Sequence, residues 1–218
     1  MIAIIDYGVG NLRSITKSVE ILGGNPVVTT DMSIVAKADG IILPGVGAFK
    51  PAIKMLKESG LLETIKQSVS AGKPVLGICL GMQLFFSQSS EGGKTKGMCL
   101  IDGTVEKLSA KVKLPQMGWN EVKFQISNIP PLKKDPAYLC KTEKSQTFKN
   151  VKNNSYFYFV HSYYCKPKNK KTVTATTNYG ITFPSIVQKN NIIGMQFHPE
   201  KSSQQGLKLL ANFVQLTK

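Results

Sequence analysis

The first half of the chain alternates short apolar runs with segments of helical periodicity, and this alternation limits the possible folds more than any other feature. Apolar, strand-like runs lie at residues 1–6, 40–43 and 74–78, another begins at Val27, and helical patterns cover residues 12–22, 49–58, 60–71 and 80–88. Strands that are apolar along their whole length are buried on both faces. The sequence therefore predicts an α/β fold, with an open, mostly parallel mixed sheet flanked by helices. Ligands of such sheets bind at the carboxyl ends of the strands.

The second half of the chain has a different pattern, in which strand-like runs are interrupted by Pro, Asn and Lys. These runs begin at MCLIDGTVEKL, residues 98–108, and end at PSIVQKNNIIGMQF, residues 184–197. They predict mixed or antiparallel strands with hairpins, followed by an amphipathic helix over residues 203–216. Because the sequence contains no repeat, low-complexity linker or boundary, we expect a single domain over residues 1–218, which is long enough to bury a substantial core.

The chain is strongly basic, with 28 Lys and Arg against 13 Asp and Glu, a net charge of +15. Most of the excess lies between Lys133 and Lys171, a segment with many lysines and no arginine. Arginine is the residue that binds guanine edges and phosphates in bidentate geometry, so this composition argues against nucleic-acid binding. A solvated surface is the favoured interpretation. A docking face for an acidic partner, or for a phosphorylated substrate nearby, is the alternative.

The distribution of apolar residues and cysteines indicates the cellular compartment in which the chain is expected. No run of about 18 apolar residues is present, and the N-terminus has no basic region or cleavage site, so we expect neither membrane insertion nor secretion. The four cysteines form no CxxC pair and are accompanied by only two histidines. A disulfide framework or a metal site is therefore not expected, and a reducing cytoplasm fits best.

One cysteine occupies a junction that must turn tightly. Cys79 follows the run that ends at Ile78, begins a helical pattern, and has a glycine two residues to either side, Gly77 and Gly81. This is the cysteine version of a nucleophile elbow, which exposes a reactive side chain above a sheet and leaves the next N–H, that of Leu80, free to donate to an oxyanion. A buried cysteine in a glycine-rich packing turn would give the same motif, and the motif alone does not separate the two.

A cysteine nucleophile needs a base, and only two histidines are available. His198 ends an apolar strand, precedes a proline, and has Glu200 two residues further on, where a carboxylate can orient the imidazole. His161 lies within a strand-like run, so His198 with Glu200 is the better pair. The loop Pro44–Gly47 follows a strand and leads into a helix, which suits an oxyanion site.

These three pieces in this order resemble the class I (triad) glutamine amidotransferases. The motifs are PGVG at 44–47, GICLGMQ at 77–83 and FHPE at 197–200. The resemblance implies that fold, with Cys79 as nucleophile of glutamine hydrolysis and His198 and Glu200 as base and orienter. It also implies a set of residues that hold the oxyanion or the glutamine: Val46, Gly47, Leu80, Gln83, His161, Ser162 and Tyr163.

Further stretches are similar to the family of glutaminase subunits of imidazole glycerol phosphate synthase, from histidine biosynthesis. They are DYGVGNL, PQMGWNEV, YFVHSYY and GMQFHPEKS. The resemblance implies a heterodimer with a (β/α)8-barrel synthase subunit that receives the ammonia, with no cofactor. The positions associated with partner contact or signalling are Asn11, Trp119, Asn120, Tyr158 and Lys201.

Two departures from that family leave alternatives open. Position 116 is glutamine where the family often has histidine, and a lysine-rich segment near 133–154 looks like an insertion. A paralogous amidotransferase that supplies ammonia for amination of a surface or lipopolysaccharide sugar is the second hypothesis. A stand-alone cysteine hydrolase and a basic nucleic-acid-binding module are further ones, and the latter leaves Cys79, His198 and Glu200 unexplained.

Overall fold

The computed structural model describes residues 1–108, 111–125 and 146–218, with the side chain of residue 146 left out. The helices are α1 (Leu12–Ile21), α2 (Met32–Lys37), α3 (Phe49–Glu58), α4 (Leu61–Ser70), α5 (Leu80–Leu84) and α6 (Ser203–Leu216). The strands are β1 (Ile2–Ile5), β2 (Pro26–Thr29), β3 (Gly40–Leu43), β4 (Val75–Ile78), β5 (Phe86–Ser89), β6 (Thr95–Lys96), β7 (Ile101–Lys107), β8 (Gln116–Phe124), β9 (Ser155–His161), β10 (Tyr163–Pro167), β11 (Val173–Tyr179), β12 (Ile181–Lys189) and β13 (Ile192–Met195).

A nine-stranded sheet in the order β2-β1-β3-β4-β13-β12-β11-β8-β9 forms the centre of the molecule. The five strands from β2 to β13 are parallel, and the other four are added as antiparallel pairs. This confirms the predicted open, mixed sheet with a parallel half. Strands from both halves of the sequence join one sheet, as a single domain requires. The single domain over 1–218 stays a prediction, because part of that range lies outside the described residues.

Successive residues of the parallel strands face two different cores. In β1, Ala3 and Ile5 pack in the cluster that includes helices α3 and α4, while Ile2 and Ile4 pack in the cluster that includes α1 and α6. All four are essentially inaccessible to solvent. The continuous apolar runs of the sequence are therefore explained by burial on both faces of the sheet.

The helix predicted over residues 80–88 is wrong in its second half. Helix α5 ends at Leu84, and β5 begins at Phe86. The Phe85 carbonyl accepts hydrogen bonds from the N–H groups of Leu100 and Ile101 instead of continuing the helix. A second sheet, in the order β10-β7-β5-β6, thus overrides the local helical pattern through pairing that is distant in sequence.

The sequence analysis also missed helix α2. Its N-terminus carries a recognisable signal, because the Asp31 side chain accepts a hydrogen bond from the Ser33 N–H at 2.7 Å. The first third of the lysine-rich segment, residues 133–145 with four of its ten lysines, lies outside the described residues, as does Cys140.

Candidate active site

Cys79 has the backbone geometry of an elbow. Its φ of +54° and ψ of −108° lie in a region that non-glycine residues rarely adopt. A methyl group at Gly81 would collide with the Leu43 carbonyl, and one at Gly77 would meet the ring of Phe85 and the backbone of Gly81. Glycine is therefore required at both flanking positions by close backbone approach, as the motif predicts. The strained residue therefore lies at the junction between β4 and α5.

His198 and Glu200 lie beside this elbow as a buried pair. The imidazole Nδ1 is 2.9 Å from Glu200 Oε1, and both side chains are almost completely buried. Burial alone would lower the pKa of His198, but the hydrogen bonds with Cys79 and Glu200, together with the negative charges of both, raise that pKa to about 10. The carboxylate holds Nδ1–H, which leaves Nε2 for the cysteine sulfur. The predicted nucleophile, base and orienter are thus brought together.

The position of His198 is fixed from its backbone. Its N–H donates to the Tyr158 carbonyl at 2.9 Å, and its carbonyl accepts from the Ser202 hydroxyl at 2.6 Å. Ser202 Oγ in turn accepts the Tyr158 N–H at 2.9 Å. Strand β9 and the short 3-10 turn Pro199–Lys201 therefore hold the imidazole in place through three hydrogen bonds. Ser202 was not singled out by the sequence analysis.

His161 has a different environment. Its Nδ1 is 2.9 Å from the Tyr163 carbonyl, which can only accept, so Nδ1 carries the proton. The ring packs against Phe183 and Phe159, with centroid distances of 5.2 and 5.7 Å. Burial lowers the pKa of His161 to about 4, the Tyr163 hydrogen bond opposes this, and the charge of His198 adds to it. His161 is therefore held neutral with its proton engaged, which supports the choice of His198 as base.

A cavity of about 210 Å³ opens directly at Cys79. Every residue predicted to hold the oxyanion or the glutamine lines it: Val46, Gly47, Leu80, Gln83, His161, Ser162 and Tyr163. Glu91, Pro115 and Val160 line it as well and were not predicted. Glu91 brings a carboxylate into the wall, where Oε2 accepts the Phe49 N–H at 2.8 Å. The cavity is smaller than a typical drug-sized pocket and of a size for one amino acid.

The glycine-rich loop 44–47 lies over the start of α5. Leu80 N–H points to the Gly45 carbonyl at 3.4 Å, a long hydrogen bond. This N–H is therefore not free in the structure, contrary to the expectation from sequence. Val46 is 43% exposed, and Gly47 has a φ of +100°, so the loop depends on glycine at its turning point.

The buried Tyr7 hydroxyl fixes the beginning of this loop. It donates to the Pro44 carbonyl at 2.6 Å. Burial and the nearby Cys79 raise the pKa of Tyr7, so the hydroxyl keeps the proton it donates. The loop thus has a fixed start and an exposed, glycine-containing end. Tyr7 was missed by the sequence analysis, since its contact is made 37 residues away in the chain.

Gln196 is a further residue of the site that the sequence analysis missed. It follows β13, is fully buried, and its Nε2 lies 3.7 Å from Cys79 Sγ. Its Oε1 accepts a hydrogen bond from Gln83 Nε2 at 3.2 Å. A polar residue between Met195 and Phe197 in an otherwise apolar strand end was the available signal.

The positions predicted for partner contact lie along the edge that carries the site. Trp119 and Tyr158 are cross-strand partners on β8 and β9, with ring centroids 6.0 Å apart, and Trp119 is 50% exposed. Asn120 Oδ1 accepts from Gln116 Nε2 at 2.8 Å, and Lys201 is exposed in the turn after His198. Asn11 caps α1, accepting the Ser14 N–H at 3.4 Å, and α1 contacts the turn Pro199–Lys201. Their role in partner binding stays a prediction.

The chain matches the family model described as "Glutamine amidotransferase class-I" over residues 3–216. It is 45% identical to the imidazole glycerol phosphate synthase subunit HisH of Moorella thermoacetica over 217 residues, which cover 100% of this chain and 95% of the relative. It is also 45% identical to the HisH subunit of Chlorobaculum tepidum over 217 residues, with 99% of this chain and 100% of the relative covered.

Solved structures share the fold at low sequence identity. A crystal structure of a glutamine amidotransferase superimposes with a TM-score of 0.72 and 15% identity, covering 99% of this chain and 98% of the other. PurLQS from Thermotoga maritima contains a chain that superimposes with a TM-score of 0.71 and 17% identity, covering 100% and 98%. In the described part of the chain, no helix has the length and apolar character needed to cross a membrane.

Proposed function

Because the chain belongs to the class I glutamine amidotransferase family and, within it, to the HisH subunits, we propose that it is the glutaminase subunit of imidazole glycerol phosphate synthase. In this role it hydrolyses glutamine to glutamate and ammonia for histidine biosynthesis, in the cytoplasm. The single observation that carries the proposal is the cavity at Cys79, which is lined by the predicted substrate residues, while the buried His198–Glu200 pair bonds to the Cys79 side chain. The HisH relatives favour this function over amination of a surface sugar.

The proposed reaction begins with attack of the Cys79 sulfur on the side-chain amide of glutamine. The proton of the Cys79 thiol is held on His198 Nε2 while Glu200 holds Nδ1, and His198 gives it to the departing ammonia. Water releases glutamate from the resulting thioester. Glu91 supplies a carboxylate to the cavity wall, where it can pair with the α-ammonium group of the substrate.

The oxyanion of the tetrahedral intermediate needs donors that are already aimed at it. Leu80 N–H and the N–H groups of Val46 and Gly47 are the proposed donors. In the described structure, the Leu80 N–H already donates its hydrogen bond to the Gly45 carbonyl. We therefore expect the isolated chain to hydrolyse glutamine slowly, because the loop must rearrange before this donor is available.

The proposed partner is a (β/α)8-barrel synthase subunit, which forms a heterodimer with this chain and receives the ammonia. It would dock over Trp119, Asn120, Tyr158, Lys201 and Asn11. The His198 backbone N–H bonds to the Tyr158 carbonyl, and the exposed Trp119 ring packs on the Tyr158 ring. A partner that contacts Trp119 would therefore be separated from the proposed base only by Tyr158.

The experiment measures glutamate release by the chain alone, with the barrel subunit, and with the barrel subunit and its ligand. An aimed oxyanion donor changes turnover by about two to three powers of ten, so we expect stimulation of at least that order. Cys79→Ala in the complex should abolish synthesis from glutamine but preserve synthesis from added ammonium salts. Rapid hydrolysis by the chain alone, unaffected by any partner, would contradict the subunit assignment and favour a stand-alone hydrolase.

A further inference from the structure

We propose that Gln196 is a further catalytic residue, whose side-chain amide donates a hydrogen bond to Cys79 Sγ and stabilises the thiolate. The inference rests on the proposed function, in which Cys79 is the nucleophile. Its starting point is a line of contacts that begins at the wall of the cavity and ends at the sulfur. Gln196 sits between Gln83 and Cys79 in that line, with Nε2 3.7 Å from the sulfur.

The direction of every hydrogen bond in this line is fixed from one end. The Tyr163 carbonyl can only accept, and it lies 2.9 Å from Gln83 Nε2. The second hydrogen of Gln83 Nε2 points to Gln196 Oε1 at 3.2 Å. Gln196 must then present Nε2, and not its oxygen, to the sulfur.

The reversed orientations are excluded by the same contacts. Turning the Gln196 amide alone would bring two NH2 groups together at 3.2 Å. Turning both amides would instead place the Gln83 oxygen against the Tyr163 carbonyl. The orientation of both side-chain amides is thus determined by the Tyr163 carbonyl, which can act only as an acceptor.

The sulfur has a separate partner for each protonation state. Cys79 Sγ lies 3.5 Å from the Val160 carbonyl, which can accept from the thiol but repels the thiolate. Gln196 Nε2 and the His198 imidazole are donors, and they favour the thiolate. Because Gln196 is fully buried and Cys79 is 5% exposed, water does not compete strongly for this contact. Removing the Gln196 donor should therefore shift the equilibrium towards the thiol.

Other titratable groups also face the sulfur or line the cavity beside it. They come from the loops after β1 and β5, from the segment after β13, and from strands β9 and β10: Tyr7, Glu91, His198, Glu200, His161, Tyr163 and Cys165. None of them is changed by a substitution at position 196. A comparison between variants at this position therefore isolates the effect of the amide.

The test is the pH dependence of Cys79 alkylation by iodoacetamide, followed by peptide mapping of the full chain. In Gln196→Met, a substitution of similar volume without the donor, the midpoint should move to higher pH by about one unit. Gln196→Glu keeps an acceptor for Gln83 and turns a carboxylate oxygen to the sulfur, so its midpoint should move in the same direction and further. Gln196→Glu also serves if the methionine variant folds poorly.

A matched control is available on the neighbouring strand. Gln188 is also fully buried, and it pairs with Ile193, near the start of β13 and away from the sulfur. Gln188→Met should leave the alkylation midpoint unchanged. An unchanged midpoint in both Gln196 variants would overturn this inference and leave the proposed function intact. Failure of Cys79 to be the preferred site of alkylation in the unaltered chain would instead overturn the proposed nucleophile.

Discussion

Removing the Ser202 hydroxyl should destabilise the chain, because this hydroxyl is buried and bonds to the backbone on both sides of the candidate base. Ser202 is 1% exposed, donates to the His198 carbonyl at 2.6 Å and accepts the Tyr158 N–H at 2.9 Å. Ser202→Ala leaves the Tyr158 N–H buried without this partner, whereas the His198 carbonyl keeps a hydrogen bond from the Lys201 N–H at 3.0 Å. An unsatisfied buried donor costs roughly 1–3 kcal/mol, and the free energy of unfolding should fall by about that amount. Whole domains have only about 5–15 kcal/mol.

Urea unfolding of the isolated chain measures this loss, and glutamine turnover in the activated complex measures its effect on His198. Ser185 provides the matched control, because it is fully buried and its hydroxyl has no hydrogen-bond partner among the described residues. Ser185→Ala should therefore leave stability unchanged or raise it. If the two alanine variants unfold at the same urea concentration, the argument from hydrogen bonds to Ser202 is wrong.

Three further predictions concern the elbow, the second histidine and the partner face. Gly81→Ala should abolish glutamine turnover and lower the unfolding midpoint, because its methyl group collides with the Leu43 carbonyl. The pKa of His161 is lowered from 6.5 to about 4, so the unfolded chain binds the extra proton first, and stability should fall as pH falls through this window. His161→Gln should flatten that part of the urea-unfolding pH profile. Trp119→Ala should weaken binding of the barrel subunit in calorimetry, whereas Ile21→Ala, at another exposed apolar residue, should not.

The parallel half of the fold was predictable because its signal is local. Strands β1, β3 and β4 are short apolar runs buried along their whole length, and burial on both faces leaves little choice of structure. The second sheet was not predictable in the same way. Residues 86–89 continue a helical pattern, and only their pairing with β7 and β6 makes them a strand. Such pairing depends on partners that the local sequence does not specify.

The residues of the candidate site likewise fall into a group that the sequence predicted and a group that it did not. Cys79, His198 and Glu200 belong to compact motifs, in which spacing along the chain already suggests the chemistry. Gln196 and Tyr7 contribute through side-chain contacts that cross 117 and 37 residues of sequence. A single sequence therefore predicts those site residues that belong to a short local motif. It does not predict residues that reach the site only through contacts formed in the folded sheet.

Strand β9 uses the two parts of Tyr158 for two purposes. Its backbone N–H and carbonyl bond to Ser202 and His198, while its ring packs on the Trp119 ring at the edge of the sheet. Any residue except proline supplies the same N–H and carbonyl. The side chain at position 158 can therefore be replaced, and with it the surface offered to a partner, while the His198 imidazole keeps its backbone anchor. A lineage could acquire a new partner at this position without passing through an inactive enzyme.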